Sequence, residues 1–180
     1  MAVAIAEIGD KTQLLTLVLT TRFRKPWPIL AGIVAATLAN HALAGLVGAQ
    51  VGAWLGPEWL RWIIGGGFLL MAGWVLVPDK LDEEEDKPRT GGAFMVTLLS
   101  FFVAEMGDKT QIATVGLAAA HPGGMVAVVA GSTLGLLAAN APVVWVGDRL
   151  ADKVDLSKAR FVAAALFAAF GAWVLWRGVG

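Results

Sequence analysis

Glu7-Ile8-Gly9-Asp10-Lys11-Thr12-Gln13 and Glu105-Met106-Gly107-Asp108-Lys109-Thr110-Gln111 are two copies of one heptapeptide. They lie 98 residues apart and agree at six of seven positions. Each copy sets Glu, Asp and Lys into otherwise apolar sequence. A charge at membrane depth costs about 2.5–3.5 kcal/mol on insertion scales, so it is rarely kept without a use. The two copies read as halves of one ion-handling site.

The sequence around them is that of a membrane protein. Of 180 residues, 57% are hydrophobic, and the mean hydropathy is +0.70. Soluble domains sit nearer 45–50% apolar. No charged residue occurs between Pro26 and Pro57, Arg61 and Asp79, Thr110 and Gly147, or Phe161 and Trp176. A helix needs roughly 20 mostly apolar residues to cross a bilayer, and each stretch is long enough to supply most or all of one. There is no Cys, which excludes disulfides and thiolate metal sites. No basic stripe exists outside the short loops, so nucleic acid is not a partner. Met1 to Ala6 lacks the basic n-region of a cleaved signal peptide.

The expected fold is an all-α membrane protein of six transmembrane helices. These run over about Ala2–Thr21, Pro28–Val51, Trp59–Val77, Gly92–Ala120, Met125–Val146 and Ala159–Trp176. Residues 1–77 form the first three-helix repeat, 78–91 an acidic linker carrying Asp82 to Asp86, and 92–180 the second repeat. At an offset of 99, Ala31-Gly32 matches Ala130-Gly131, Gly48 matches Gly147, and His41 falls opposite Asn140. Three spans per repeat require the halves to be inverted relative to each other, a plan that places the site near the midplane. The loops after helices 1, 3 and 5 hold Arg22, Arg24, Lys25, Lys80, Lys87, Arg89, Arg149, Lys153, Lys158 and Arg160. The other side holds Arg61 and Arg177. The positive-inside rule then puts the linker in the cytoplasm and both termini outside. All eight Trp lie toward span ends, as in an aromatic belt. Only six residues precede Glu7, about 9 Å of helix, so the natural chain is expected to extend upstream of Met1.

On a helix, Glu7, Asp10 and Gln13 make one stripe, and Glu105, Asp108 and Gln111 another; Lys11 and Lys109 are each within pairing distance of the preceding Glu. Gly9 and Gly107 allow either a local helix break or close helix packing, and spacing alone does not choose. Four carboxylates and two lysines leave a charge of −2, suited to one divalent cation or two protons. Oxygen donors suit Ca²⁺, Mg²⁺ and Mn²⁺, and His41 at the site would tilt the choice toward Mn²⁺. Metal and proton compete for the same carboxylates, the simplest basis for exchange.

The doubled E-x-G-D-K-T, the 3+3 layout and the acidic central loop resemble the Golgi-type and bacterial manganese/calcium cation–proton antiporters, the second calcium/cation antiporter family. The resemblance covers essentially the whole chain. It implies exchange of Mn²⁺ or Ca²⁺, the transported ions, against protons, with no prosthetic group. By motif match Glu7, Asp10, Glu105 and Asp108 are the core cation residues. Lys11, Thr12, Gln13, Lys109, Thr110 and Gln111 support them. Asn40, His41 and Asn140 are further candidates, Asn140 beside Pro142, which can kink helix 5. Against these stand plainer readings: a structural ion pair between helices 1 and 4, lysines that only neutralise the empty site, and interhelical Asn bonds. Ser100, Ser132, Thr97 and Thr133 read as packing polars, His121 as a turn residue, and the acidic run as a solvated linker. The rival functions are a cation channel without proton coupling, an intramembrane aspartyl protease, which lacks the G-x-G-D signature here, and a structural module. The partners are a divalent metal ion, protons and the lipid bilayer, with a homodimer open as the assembly, and the location is a bacterial inner membrane.

Overall fold

The computed structural model describes residues 5–8, 10–77, 91–146 and 156–179. Every regular element among them is helical, as expected. The α-helices are α1 (Lys11–Phe23), α2 (Pro26–Trp54), α3 (Pro57–Trp74), α4 (Ala93–Glu105), α5 (Lys109–Ala120), α6 (Met125–Val146) and α7 (Leu156–Arg177). A single 3₁₀ turn, Pro122–Gly124, joins α5 to α6. Residues 78–90 of the acidic linker lie outside the described residues, as do Gly9, Gly147 and most of the loop before α7.

Three helices are long and apolar enough to cross a bilayer: Pro26–Trp54, Met125–Val146 and the last helix from Ser157. Their outward faces carry large apolar side chains in the open. Leu70, Val126, Trp54 and Trp176 each expose more than three-quarters of their surface, and all eight Trp are exposed. A water-facing surface does not carry so much apolar area. The chain is an integral membrane protein.

One expectation needs correcting. The motif does not sit within continuous helices. Where one span was expected from Gly92 to Ala120, α4 stops at Glu105 and α5 starts at Lys109. The first copy behaves alike: helix at Ile5-Ala6, a turn at Glu7-Ile8, and α1 beginning only at Lys11. Gly107 shows why. Its φ is +77°, a left-handed conformation that costs other L-residues about 1–2 kcal/mol. A Cβ there would meet nothing within 4 Å, so the glycine is needed for the break and not for close packing. Asp10 and Asp108 then take extended backbone at nearly the same angles, φ −79°, ψ 167° and φ −76°, ψ 165°. In both copies the Asp amide donates to the Glu carbonyl three residues back, at 3.2 Å.

Helix α2 is the axis of the assembly. Its 29 residues span about 43 Å. α4 and α5 run along it in the same direction, from Gly32 beside Phe94 and Thr97 to Gly52 beside Ala119. At Gly48 the approach is so close that any Cβ would collide with the Val115 carbonyl. The break between α4 and α5 therefore falls opposite the middle of α2, where Asn40 donates to the Phe102 carbonyl at 3.0 Å. α3 and α7 form an antiparallel pair, with Arg61 Nε donating to the Leu175 carbonyl and Gly65 against Gly171.

The buried apolar residues divide into two clusters. One holds Leu15, Leu19, Ile33, Val96, Phe101 and Ala104. The other holds Ala6, Ile64, Phe68, Ala113, Ala120 and Phe167. Each motif lies between them along the chain, but in opposite order. The first passes from Ala6 in one cluster to Leu15 in the other; the second passes from Ala104 to Ala113, back again.

Candidate functional site

Between the two apolar clusters lies a layer of buried polar side chains. Glu7, Thr12, Thr16, Asn40, His41, Glu105, Thr114 and Asn140 are all fully buried, and Asp10, Asp108, Lys109 and Thr110 nearly so. Carboxylates buried this deeply are stable only when paired, hydrogen-bonded or bound to a cation.

Three of them converge. Glu7 from the first copy and Glu105 and Asp108 from the second each offer an oxygen, and these oxygens lie within 4.8 Å of one another. One ion could touch all three. The helix breaks make this arrangement possible. A Glu that ends one helix and an Asp that caps the next point into the same gap, which the single stripe of a continuous helix would not give. Asp10 is buried nearby but stands outside this trio. Both oxygens of Glu105 lack a hydrogen-bond partner among the described residues. Buried polar atoms without partners are rare, and an ion site is one accepted reason for them.

One lysine crosses between the copies: Lys109 Nζ lies 3.9 Å from Asp10 of the first copy. Lys109 also meets the last residue of α3 and the turn after it: its Nζ is 5.8 Å from the Trp74 ring centroid and 3.4 Å from the Val77 carbonyl.

Hydroxyls and amides surround the charges. Thr12 donates to Glu7 Oε2 at 2.8 Å. Thr110 lies beside Glu105 without closing that bond. Gln13 reaches the Ala139 carbonyl at 3.1 Å. Gln111 reaches Asn40 Oδ1 at 3.4 Å and accepts from the Gly107 amide at 2.6 Å. Residues 40 and 139 differ by 99, the offset noted in the sequence, so the two Gln contacts fall at matching positions of α2 and α6. Asn140 accepts from Thr16 at 2.7 Å and donates to the Leu136 carbonyl, while α6 continues unbroken through Pro142. His41 is buried, with Nδ1 3.2 Å from the Thr133 hydroxyl. His121 is an exposed helix-end residue, as expected. Thr16 and Thr114 were not anticipated. Thr16 ties α1 to Asn140, and Thr114 ties α5 to Ser132 at 3.1 Å. A signal existed: they stand at matching positions, three residues after Gln13 and Gln111.

The family model described as divalent cation/proton antiporter GDT1 matches residues 1–83 and 93–180, nearly the whole chain. The chain belongs to the GDT1 family. Among its GDT1-family relatives, a protein of Vibrio cholerae named "Putative manganese exporter" is 54% identical over 165 residues, covering 92% of this chain and 82% of that protein. A GDT1-like protein of Synechocystis is 27% identical over 197 residues, covering 98% of this chain and 94% of its own length. A GDT1-like protein of Schizosaccharomyces pombe matches 43% of the chain at 34% identity. No solved structure matches this GDT1 protein. Membership makes the chain a membrane transporter of divalent cations and protons and not an enzyme of the usual kind.

Proposed function

We propose that this protein exports Mn²⁺, or Ca²⁺, from the cytoplasm in exchange for protons. The ion would be held by Glu7, Glu105 and Asp108, with Asp10, Gln13 and Gln111 in the surrounding set. Lys11, Thr12, Lys109, Thr110, Asn40, His41 and Asn140 position them. The observation that carries this reading is the convergence of three buried carboxylates, drawn from both motifs, on one point. Hard oxygen donors favour Mn²⁺, Ca²⁺ and Mg²⁺. The name of the Vibrio relative supports Mn²⁺ among them. Because the ligands must be ionised, protons compete directly with the ion, and that competition couples the two flows.

The opposite order in which the two motifs cross the apolar clusters supports a pair of inverted three-helix repeats, 1–77 and 92–180, joined by the linker 78–91. The paired Gln contacts, at positions 40 and 139, support it too. With the basic loops inside, the linker faces the cytoplasm of a bacterial inner membrane and both termini face out. Complete burial of Glu7 and Glu105 between two apolar clusters favours an exchanger over a continuous pore.

Reconstitution into liposomes with an imposed pH gradient tests the proposal. Mn²⁺ or Ca²⁺ uptake and internal pH are followed together. Each cation taken up should be matched by protons moving the other way, and the apparent KM for the cation should rise as pH falls. Cation flux with no response of internal pH would reject exchange in favour of a channel.

A further inference from the structure

We infer that Thr37 and Thr97 line the route by which the cation travels between the carboxylates and the membrane face that carries the loop between α1 and α2. That is the cytoplasmic face in the reading above. This rests on the carboxylate reading of the site and extends it outward, from the groups that hold the ion to the groups that lead to them.

The two hydroxyls are an anomaly. Thr37 and Thr97 are fully buried, and neither Oγ1 has a hydrogen-bond partner among the described residues. A helical threonine can turn its hydroxyl back onto the carbonyl four residues earlier. Thr16 does so onto Thr12, and Thr114 onto Thr110, both at 2.8 Å. Thr37 and Thr97 forgo even that bond. A buried hydroxyl without a partner is costly, and use by an ion is one accepted reason to keep it.

Both threonines lie on the faces that carry the site. Thr37 stands three residues before Asn40 and four before His41, so the three share one buried stripe of α2. Thr97 stands eight residues before Glu105, on the same face of α4 and about 12 Å along it. Its side chain lies between α4 and α2, since a Cβ added at Gly32 would come within 2.8 Å of Thr97 Cβ. Ser100, one turn nearer the site, is buried as well. In α1, Thr20 Oγ1 is again buried without a partner. Nearer the loop, Leu19, Ile29, Ile33 and Val96 belong to one apolar cluster, which closes the route in this conformation.

The opposite direction differs. There the buried stripe of α2 continues as Ala44, Gly45 and Gly48, and Gly48 meets α5 too closely for any Cβ. The hydroxyls on that side are matched: Thr114 with Ser132 at 3.1 Å, and Thr133 with His41 at 3.2 Å. Beyond the motifs themselves, the unmatched buried hydroxyls among the described residues all lie on one side. A divalent cation gives up water reluctantly and needs oxygen in exchange. Neutral hydroxyls offer that oxygen without holding the ion as carboxylates do, and weak sites of this kind are what passage requires.

The chain contains no Cys, so single cysteines can be probed directly. Thr37→Cys and Thr97→Cys are treated with a membrane-impermeant cationic thiol reagent from either face of membrane vesicles. Lys25→Cys marks the loop face, and Leu38→Cys, on the exposed side of α2, marks the lipid-facing surface. Both threonine positions should react from the Lys25 face alone, Leu38→Cys should react from neither, and the adduct at Thr97→Cys should abolish most of the Mn²⁺ flux. Thr37→Val and Thr97→Val should each lower kcat/KM for Mn²⁺ about fivefold, the effect of one lost hydroxyl contact, while Thr97→Ser should stay within about twofold of wild type. If neither cysteine reacts, or if both react only from the face opposite Lys25, the inference is overturned. Equal behaviour of the Val and Ser variants would mean that the hydroxyls only pack, which also overturns it. Should Thr97→Cys fail to fold, Ser100→Cys takes its place with the same expected sidedness. Two further outcomes concern the reading beneath. If Lys25→Cys is reached only from outside the cell, the proposed orientation is reversed, yet the route stands as long as Thr97→Cys reacts from that same face. Normal transport by Glu105→Gln rejects the carboxylate site itself, whatever the threonine variants do.

Discussion

The two copies of the heptapeptide have similar backbones at the positions described in both and two sets of partners. Each leaves a helix at or just before its Glu and enters the next through an Asp at closely similar angles. Their surroundings differ. Thr12 is bonded to Glu7, whereas Thr110 makes no such bond to Glu105. Gln13 finds a backbone carbonyl and Gln111 finds Asn40. Lys109 is buried against α3, while Lys11 is only partly buried. A duplicated motif thus supplies a duplicated shape, and the neighbouring helices divide its chemistry. In the reading proposed above, the second copy contributes two carboxylates to the ion and the first contributes one.

Changes to the carboxylates should have the largest effects. Glu7→Gln and Glu105→Gln should each reduce Mn²⁺ transport by about a hundredfold or more, beyond the 10–100-fold typical of groups one layer further out. If one of the pair transports normally in liposomes, the motifs do not share a site. Asp108→Asn should match them, because Asp108 supplies the third of the converging oxygens.

Next come the threonines. Thr12→Val removes a hydrogen bond to a charged oxygen, worth about 1.5–3 kcal/mol, and should raise the KM for Mn²⁺ about tenfold. Thr110→Val should change KM by about twofold at most, because its hydroxyl makes no bond to lose. Equal effects would mean that Thr110 closes onto Glu105 once an ion binds. Gly107→Ala should destabilise the purified protein by about 1–2 kcal/mol through its left-handed backbone. Thermal unfolding in detergent would show it, and a variant as stable as wild type would indicate that the break is not rigid. Smallest is Asn140→Ala, which leaves Thr16 without its acceptor. It should cost about 0.6–1.7 kcal/mol of stability, as measured for interhelical bonds in membranes.

Much of this was legible in the residues themselves. Charge-free stretches indicated membrane helices because a bilayer penalises charge wherever it falls along the chain. The repeat was visible as identity, and the chemistry of the site as a count of oxygens and charges. Gly107 was legible as a special position, but not as a break, because a glycine permits both a break and close packing. Only the empty space around it distinguishes the two. The contact of Lys109 with Asp10 joins the two copies, and no local spacing rule reveals it. Thr16 and Thr114 were visible in the repeat, but nothing local shows that α6 supplies Asn140 to one and Ser132 to the other.

By itself, then, the sequence determined the solvent, the helical content, the duplication and the identity of the charged groups. These follow from composition and from local rules that act within a few residues. The tertiary structure alone decided which carboxylates meet and which lysine crosses to which acid. Those are contacts across some hundred residues of chain, and their geometry depends on how α2 holds α4, α5 and α6 against it.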